Sequence, residues 1–200
     1  MDILGAWLTV IARDGWANAR IGAVAIVAAV DAGAVADGLP DRWAALRCYS
    51  RHLDRAALAA AAADPDESVR DRLFTVIMER FDAAQPHRSA ALELDRAVRR
   101  DPGLSVFFAT ELPCSVARIA DAAGVETTGL LGPLRVNVLT VLYLRVARVW
   151  LRDETADLAA TMKALDAMLA QAERWARQTP HRPVAKATAM PQSVDGPLPE

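Results

Sequence analysis

Apolar residues in this chain recur three and four positions apart, and the segments that carry them are cut by glycine, proline and aspartate. No stretch alternates polar with apolar residues over six or more positions, so strands are not expected. The pattern predicts nine helices. The first runs from about Ile3 to Arg13 and stops at Asp14-Gly15, and the second runs from about Ile21 to Val30. Asp31 can cap a short third helix, Ala32 to Asp37, that ends at Gly38. Pro40 suits the first turn of a long fourth helix that continues to about Ala62. After the break at Asp64-Pro65-Asp66, a fifth helix from Ser68 to about Ala84 carries Val69, Leu73, Val76, Ile77 and Phe81 in one stripe. Pro86 starts a sixth, which Asp101-Pro102 breaks, and a seventh spans about Leu104 to Ala123. Beyond a loop from Gly124 to Gly132 come an eighth, Pro133 to Leu151, and a ninth, Ala156 to about Arg177.

These elements divide the chain into three parts. Residues 1–46 form a small head of three short helices, and residues 47–177 form a helical body that begins in the linking fourth helix. Residues 178–200 hold five prolines and no apolar periodicity, and are expected to be a disordered tail. No internal repeat is found.

The last two helices carry the strongest pattern. Leu158, Met162, Leu165, Leu169, Ala172 and Trp175 lie three and four apart, a narrow seam along the ninth helix. The eighth is apolar nearly all round, and a helix without a polar face must be covered on more than one side. Burial within one chain would do this. So would a two-fold four-helix interface, in which Val138 and Leu142 of the eighth helix join Leu158, Met162, Leu165 and Leu169 of the ninth.

Composition narrows the function. A hydrophobic fraction of 53% is enough for a continuous core, and a net charge of −2 gives no global attraction to nucleic acid or anionic lipid. Cys48 and Cys114 fit no metal spacing and are read as reduced core thiols of a cytoplasmic protein. The longest apolar run, Val136 to Val149, is interrupted by Arg145 and Arg148 and is too short to span a bilayer. There is no glycine-rich phosphate loop, no supported Ser/His/Asp grouping and no cluster of metal ligands, so neither catalysis nor a cofactor is expected. Met78, Phe81, Phe107 and Phe108 are core positions that can also line a ligand cavity in the body. His87, at a helix start, either caps that helix or offers the cavity a polar group. Cys114 joins this candidate pocket, and the acidic run Asp153 to Asp157 is read as helix capping.

A head of two helices, a tight turn and a third, followed by a long linker helix, is a helix-turn-helix on a helical body. Asp14-Gly15-Trp16, Val24-Ala25, Ala28-Ala29-Val30-Asp31, Val35-Ala36, Leu39, Arg42 and Leu46 resemble, without a gap, the head of TetR-type transcriptional regulators. The run from Val146 to Asp166 is similar to the last two helices of a bacterial branch of these proteins, so the resemblance covers about residues 3–177. It implies a nine-helix all-α fold, a homodimer, DNA as partner, and a small apolar ligand in the body.

The departures fall where that family touches DNA. The small residue ending the second helix, usually glycine, is Ala29, and the serine capping the recognition helix is Asp31. The tyrosine that meets a phosphate is Ala36, and the histidine two positions later is Gly38. Arg42 keeps a phosphate-binding charge, and Arg20 and Arg47 are the other candidate contacts. Residues 1–60 hold six arginines against six aspartates, and the recognition helix has no side chain able to read a base edge bidentately. The expectation is therefore a dimeric, ligand-responsive regulator with weakened DNA binding. The alternative is a protein of similar fold that no longer binds DNA, a lipid- or isoprenoid-binding accessory protein of the ubiquinone-biosynthesis type.

Overall fold

A computed structural model describes residues 2–61 and 67–178, the last four as backbone only. The expected break at Asp64-Pro65-Asp66, the side chain of Trp175 and all but the first residue of the expected tail lie outside the described residues. Among the described residues there are nine α-helices and no strand: α1 (Ile3–Asp14), α2 (Ile21–Ala28), α3 (Ala32–Gly38), α4 (Arg42–Ala60), α5 (Val69–Ala84), α6 (Arg88–Val98), α7 (Pro102–Ala122), α8 (Gly132–Trp150) and α9 (Ala159–Gln178). Two 3-10 turns, Trp16–Asn18 and Gln85–His87, follow α1 and α5.

Local chemistry sets most of the ends. Asp2, Asp31, Asp41, Ser68 and Asp101 each accept a backbone N–H of the first turn they precede, satisfying donors that a helix start leaves open. Asp41 rather than Pro40 therefore begins α4. Helix α2 stops at Ala28, two residues earlier than expected, because Ala29 adopts a left-handed conformation with φ 56°. A Cβ in that region is strained, which is why glycine is favoured there. Ala29→Gly is expected to stabilise the protein by about 0.5–1 kcal/mol, a rise of about 1–4 °C in Tm. An unchanged or lower midpoint in a calorimetric scan would show that the turn is not strained.

The start of α9 also moved, from Ala156 to Ala159. Asp153 accepts the hydroxyls of Thr155 and Thr161 at 2.6 and 2.7 Å, and the N–H of Thr161 at 2.8 Å. These bonds hold its carboxyl well below the usual range. The chain between them is bent, with Leu158 in the left-handed region at φ 54°. A helix cannot run through that residue, so α9 begins one position later.

Helices α2 and α3 meet at 106°, the angle of a helix-turn-helix. Helix α2 packs on α1 and carries α3, and α1 also meets α4; Trp7, Leu8, Val10, Ile11, Val24, Val35, Ala45 and Leu46 are buried there. In the body α5 and α7 pack on α4, α8 packs on α7 and α5, and α9 packs on α8 and α5. Helix α7 is long and apolar enough to cross a membrane by length and composition. Here Leu104, Phe107, Val116, Ile119 and Ala120 bury one side of it in the body.

Head and body share a continuous seam. Trp16 Nε1 donates to Asp101 Oδ2 at 2.8 Å, joining the turn after α1 to the start of α7. Trp16 meets Trp43 edge-on at 4.8 Å, Trp43 meets Phe107 at 5.6 Å, and Phe107 meets Phe108 at 5.6 Å. Such ring contacts contribute beyond the area they bury.

Candidate functional site

Three places carry the sequence-based expectations: the outer face of the head, the interior of the body, and the outer face of α8 and α9.

On the head, the face formed by α2, α3 and their flanks leaves Gly22, Ile26, Ala29, Val30, Ala32 and Gly33 exposed. Arg20, Asp31, Asp37 and Asp41, on or beside these helices, are exposed as well. Asp31 and Asp41 are also the caps of α3 and α4. Arg42, expected as the main phosphate contact, is engaged elsewhere. Its Nη1 donates to the carbonyls of Trp16 and Ala17 at 2.9 and 3.2 Å, and its guanidinium lies 4.6 Å above the Trp16 ring. Arg47 faces the body, 5.7 Å from the Phe107 ring and 3.9 Å from a Glu111 oxygen. Of the three expected contacts, Arg20 alone sits free on the α2–α3 edge among the described residues.

In the body, the expected pocket residues do not surround one cavity. Phe81 is buried in a stack between Tyr143, at 5.2 Å, and Trp150, at 5.5 Å, and Met78 is buried in the same core. Phe107 and Phe108 belong to the head–body seam. His87 is half-buried and edge-on to Tyr49 at 5.8 Å, and partial burial lowers its pKa. Both cysteine expectations are corrected: Cys114 is exposed and Cys48 is half-buried. The register of α7 turns Cys114 outward, because Ser115, Val116, Ile119 and Ala120 take the inner face. A crevice of about 10 Å³ lies between α5, α7 and α8, walled by Leu73, Ile77, Val116, Ile119, Leu139 and Tyr143 among others. That is room for about one water.

Beside the crevice lies a charged cluster that the sequence reading missed. Asp54 of α4 is 3% exposed and accepts hydrogen bonds from Arg80 of α5, from the Ser115 hydroxyl at 2.6 Å, and from Arg118 Nη2 at 2.5 Å. Arg80, also 3% exposed, donates through Nε to the Tyr143 hydroxyl at 3.1 Å. Three helices, α4, α5 and α7, thereby meet at one carboxylate, and Arg80 links a fourth, α8, through Tyr143. The signal was present but indirect. Asp54 and Arg80 occupy apolar register positions, the second between Ile77 and Phe81 of the stripe. Opposite charges on the inner faces of consecutive helices are what a buried pair looks like in sequence.

On the outer face, the expected dimer residues separate into two groups. Leu158, Leu165 and Leu169 are 3%, 0% and 3% exposed within a single chain, and Met162 packs half-buried against the same core. The seam of α9 therefore faces its own body, which corrects its assignment to the interface. Leu142 is buried at the floor of a groove of about 270 Å³ between α8 and α9. Val138 lies on its wall with Val141, Arg145 and Met168. Leu134, Val138, Val141 and Leu144 are exposed along α8 at helical spacing, and Leu130 and Leu131 continue this apolar surface at its start. Gly132 is required at that start, because a Cβ there would stand 2.2 Å from the Thr127 carbonyl oxygen.

No protein-family model matches this sequence, and no curated protein matches it. Solved structures do. A TetR transcriptional regulator from Nitrosomonas europaea ATCC 19718 superposes with a TM-score of 0.71 at 18% identity, over 86% of this chain and 96% of that one. A putative TetR-family transcriptional regulator from a Rhodococcus species gives 0.58 at 24% identity, over 83% and 94%. A TetR transcriptional regulator from Rhodococcus sp. RHA1 gives 0.53 at 16% identity, over 84% and 93%. The chain has the all-α fold of the TetR-family transcriptional regulators.

Proposed function

We propose that this chain is a TetR-type transcriptional regulator that works as a homodimer, responds to a small apolar ligand in its body, and binds DNA weakly. The observation that carries this reading is the helix-turn-helix head, mounted on a body whose α8 presents an uncovered apolar stripe beside a groove. A second copy related by a two-fold axis covers that stripe with its own, and the four helices close a bundle. The dimer sets two heads side by side. The ligand enters by widening the crevice between α5, α7 and α8, and shifts the population between two dimer geometries.

Weak DNA binding follows from charge. Each phosphate contact needs a cation, an oriented donor or a helix N-terminus, and the α2–α3 face offers one arginine against three carboxylates. A dimer held by Arg20 and its symmetry mate neutralises about two phosphates, so its affinity falls only about tenfold between about 50 and 200 mM salt. Titration of the protein against its own upstream DNA at several salt concentrations measures this. A thousandfold fall over that range, with nanomolar binding at physiological salt, would refute the weakened head.

The dimer has its own test. Val141→Asp sets two carboxylates against each other across the proposed axis, and sedimentation is expected to show a folded monomer. A persistent dimer with unchanged melting would move the interface elsewhere. A second reading, the lipid- or isoprenoid-binding accessory protein, draws support from the lack of net positive charge on the head. It needs a chamber of at least about 300 Å³. An isoprenoid found by mass spectrometry of the native protein would favour it.

A further inference from the structure

We propose that the exposed α2–α3 face of the head is a docking surface for a basic segment of another protein, one that carries apolar residues at its centre. The face combines two features that a nucleic-acid surface does not. Ile26, in the middle of α2, is 81% exposed, and Val30, one turn on, is 40% exposed. Around them Gly22, Ala29, Ala32 and Gly33 have almost no side chain, so a partner's backbone can approach closely. An apolar centre of this kind, rimmed by polar residues, marks an interaction surface.

The rim selects the partner. The exposed charges on and beside α2 and α3 are Asp31, Asp37 and Asp41 against Arg20, two net negative. Asp37 has no ion pair or side-chain hydrogen bond among the described residues, so its charge is available. Duplex DNA and anionic bilayers both need cations on the protein, and here they meet carboxylates. A second copy of the same face would set acid against acid across a two-fold axis. A segment with lysine or arginine around a leucine- or valine-rich centre satisfies both the apolar and the charged features. This surface stands independently of the dimer and of the proposed ligand, since it involves neither α8, α9 nor the crevice.

Full-length protein is titrated with two labelled amphipathic 14-residue helical peptides, one built of leucine and lysine and the other of leucine and glutamate. The lysine peptide is expected to bind saturably, with slowed hydrogen exchange confined to residues 20–41. Ile26→Ser is expected to weaken it about tenfold or more, the effect of removing one large buried side chain. Asp37→Lys is expected to weaken it further and to improve binding of the glutamate peptide. Neither side chain is packed in the core, so both variants are expected to melt with the parent. Equal binding of the two peptides, indifference to Ile26→Ser, or protection mapped outside residues 20–41 would overturn the proposal. So would tighter binding of a 20-base-pair duplex or of phosphatidylglycerol vesicles through the same residues. Failure here leaves the dimer test and the salt titration untouched, and failure of those leaves this one standing.

Discussion

Asp54→Ala is expected to lower folding stability by about 3–5 kcal/mol, because it strands the buried Arg80 guanidinium with the Tyr143 hydroxyl as its remaining partner. Removing one member of a buried pair costs far more than the pair itself contributes, since the survivor keeps its desolvation penalty without the attraction that offset it. For a domain of this size that is a fall of about 10 °C or more in Tm. Arg118→Ala gives the contrast. Its side chain is 48% exposed, so water already screens its bond to Asp54, and the loss should stay within about 1 kcal/mol. The double replacement Asp54→Leu with Arg80→Met removes both charges and is expected to recover most of the loss. Urea denaturation of the four proteins measures all of this. If Asp54→Ala unfolds within about 1 kcal/mol of the parent, the cluster is solvated and the body around it is loosely packed.

Leu165→Asp is expected to destroy the fold rather than the dimer. Leu165 is fully buried, in the row formed with Leu158 and Leu169 that packs α9 onto its own body. An isolated carboxylate there costs several kcal/mol, of the order that unfolds a domain of ordinary stability. Aggregation or loss of helical circular dichroism at every concentration is the expected outcome. Val141→Asp, on the opposite side of the α8–α9 pair, is expected to give a soluble folded monomer. A folded monomer from Leu165→Asp would mean that the α9 seam is the dimer interface after all, as periodicity alone suggested. The pair of variants therefore separates core from interface.

The helical class and most helix ends were legible in the sequence, because these depend on interactions within a few residues. Asp2, Asp31 and Ser68 cap the turns that follow them whatever lies beyond. The chemistry of the head was legible for the same reason, as the exposed side chains of a short helix are those its sequence places there. Which way an apolar face turns depends on what it meets, and that is settled by packing. The α9 seam and the α8 stripe have the same periodicity, yet the first is interior and the second exposed. Arg42 was assigned to a phosphate by position, but Trp16 and Ala17 present carbonyls within its reach once the turn after α1 folds beside it. Asp54 and Arg80 lie 26 residues apart and became partners only when α4 and α5 packed together. Local rules act over one or two helical turns, whereas burial and charge pairing are settled by neighbours distant in sequence.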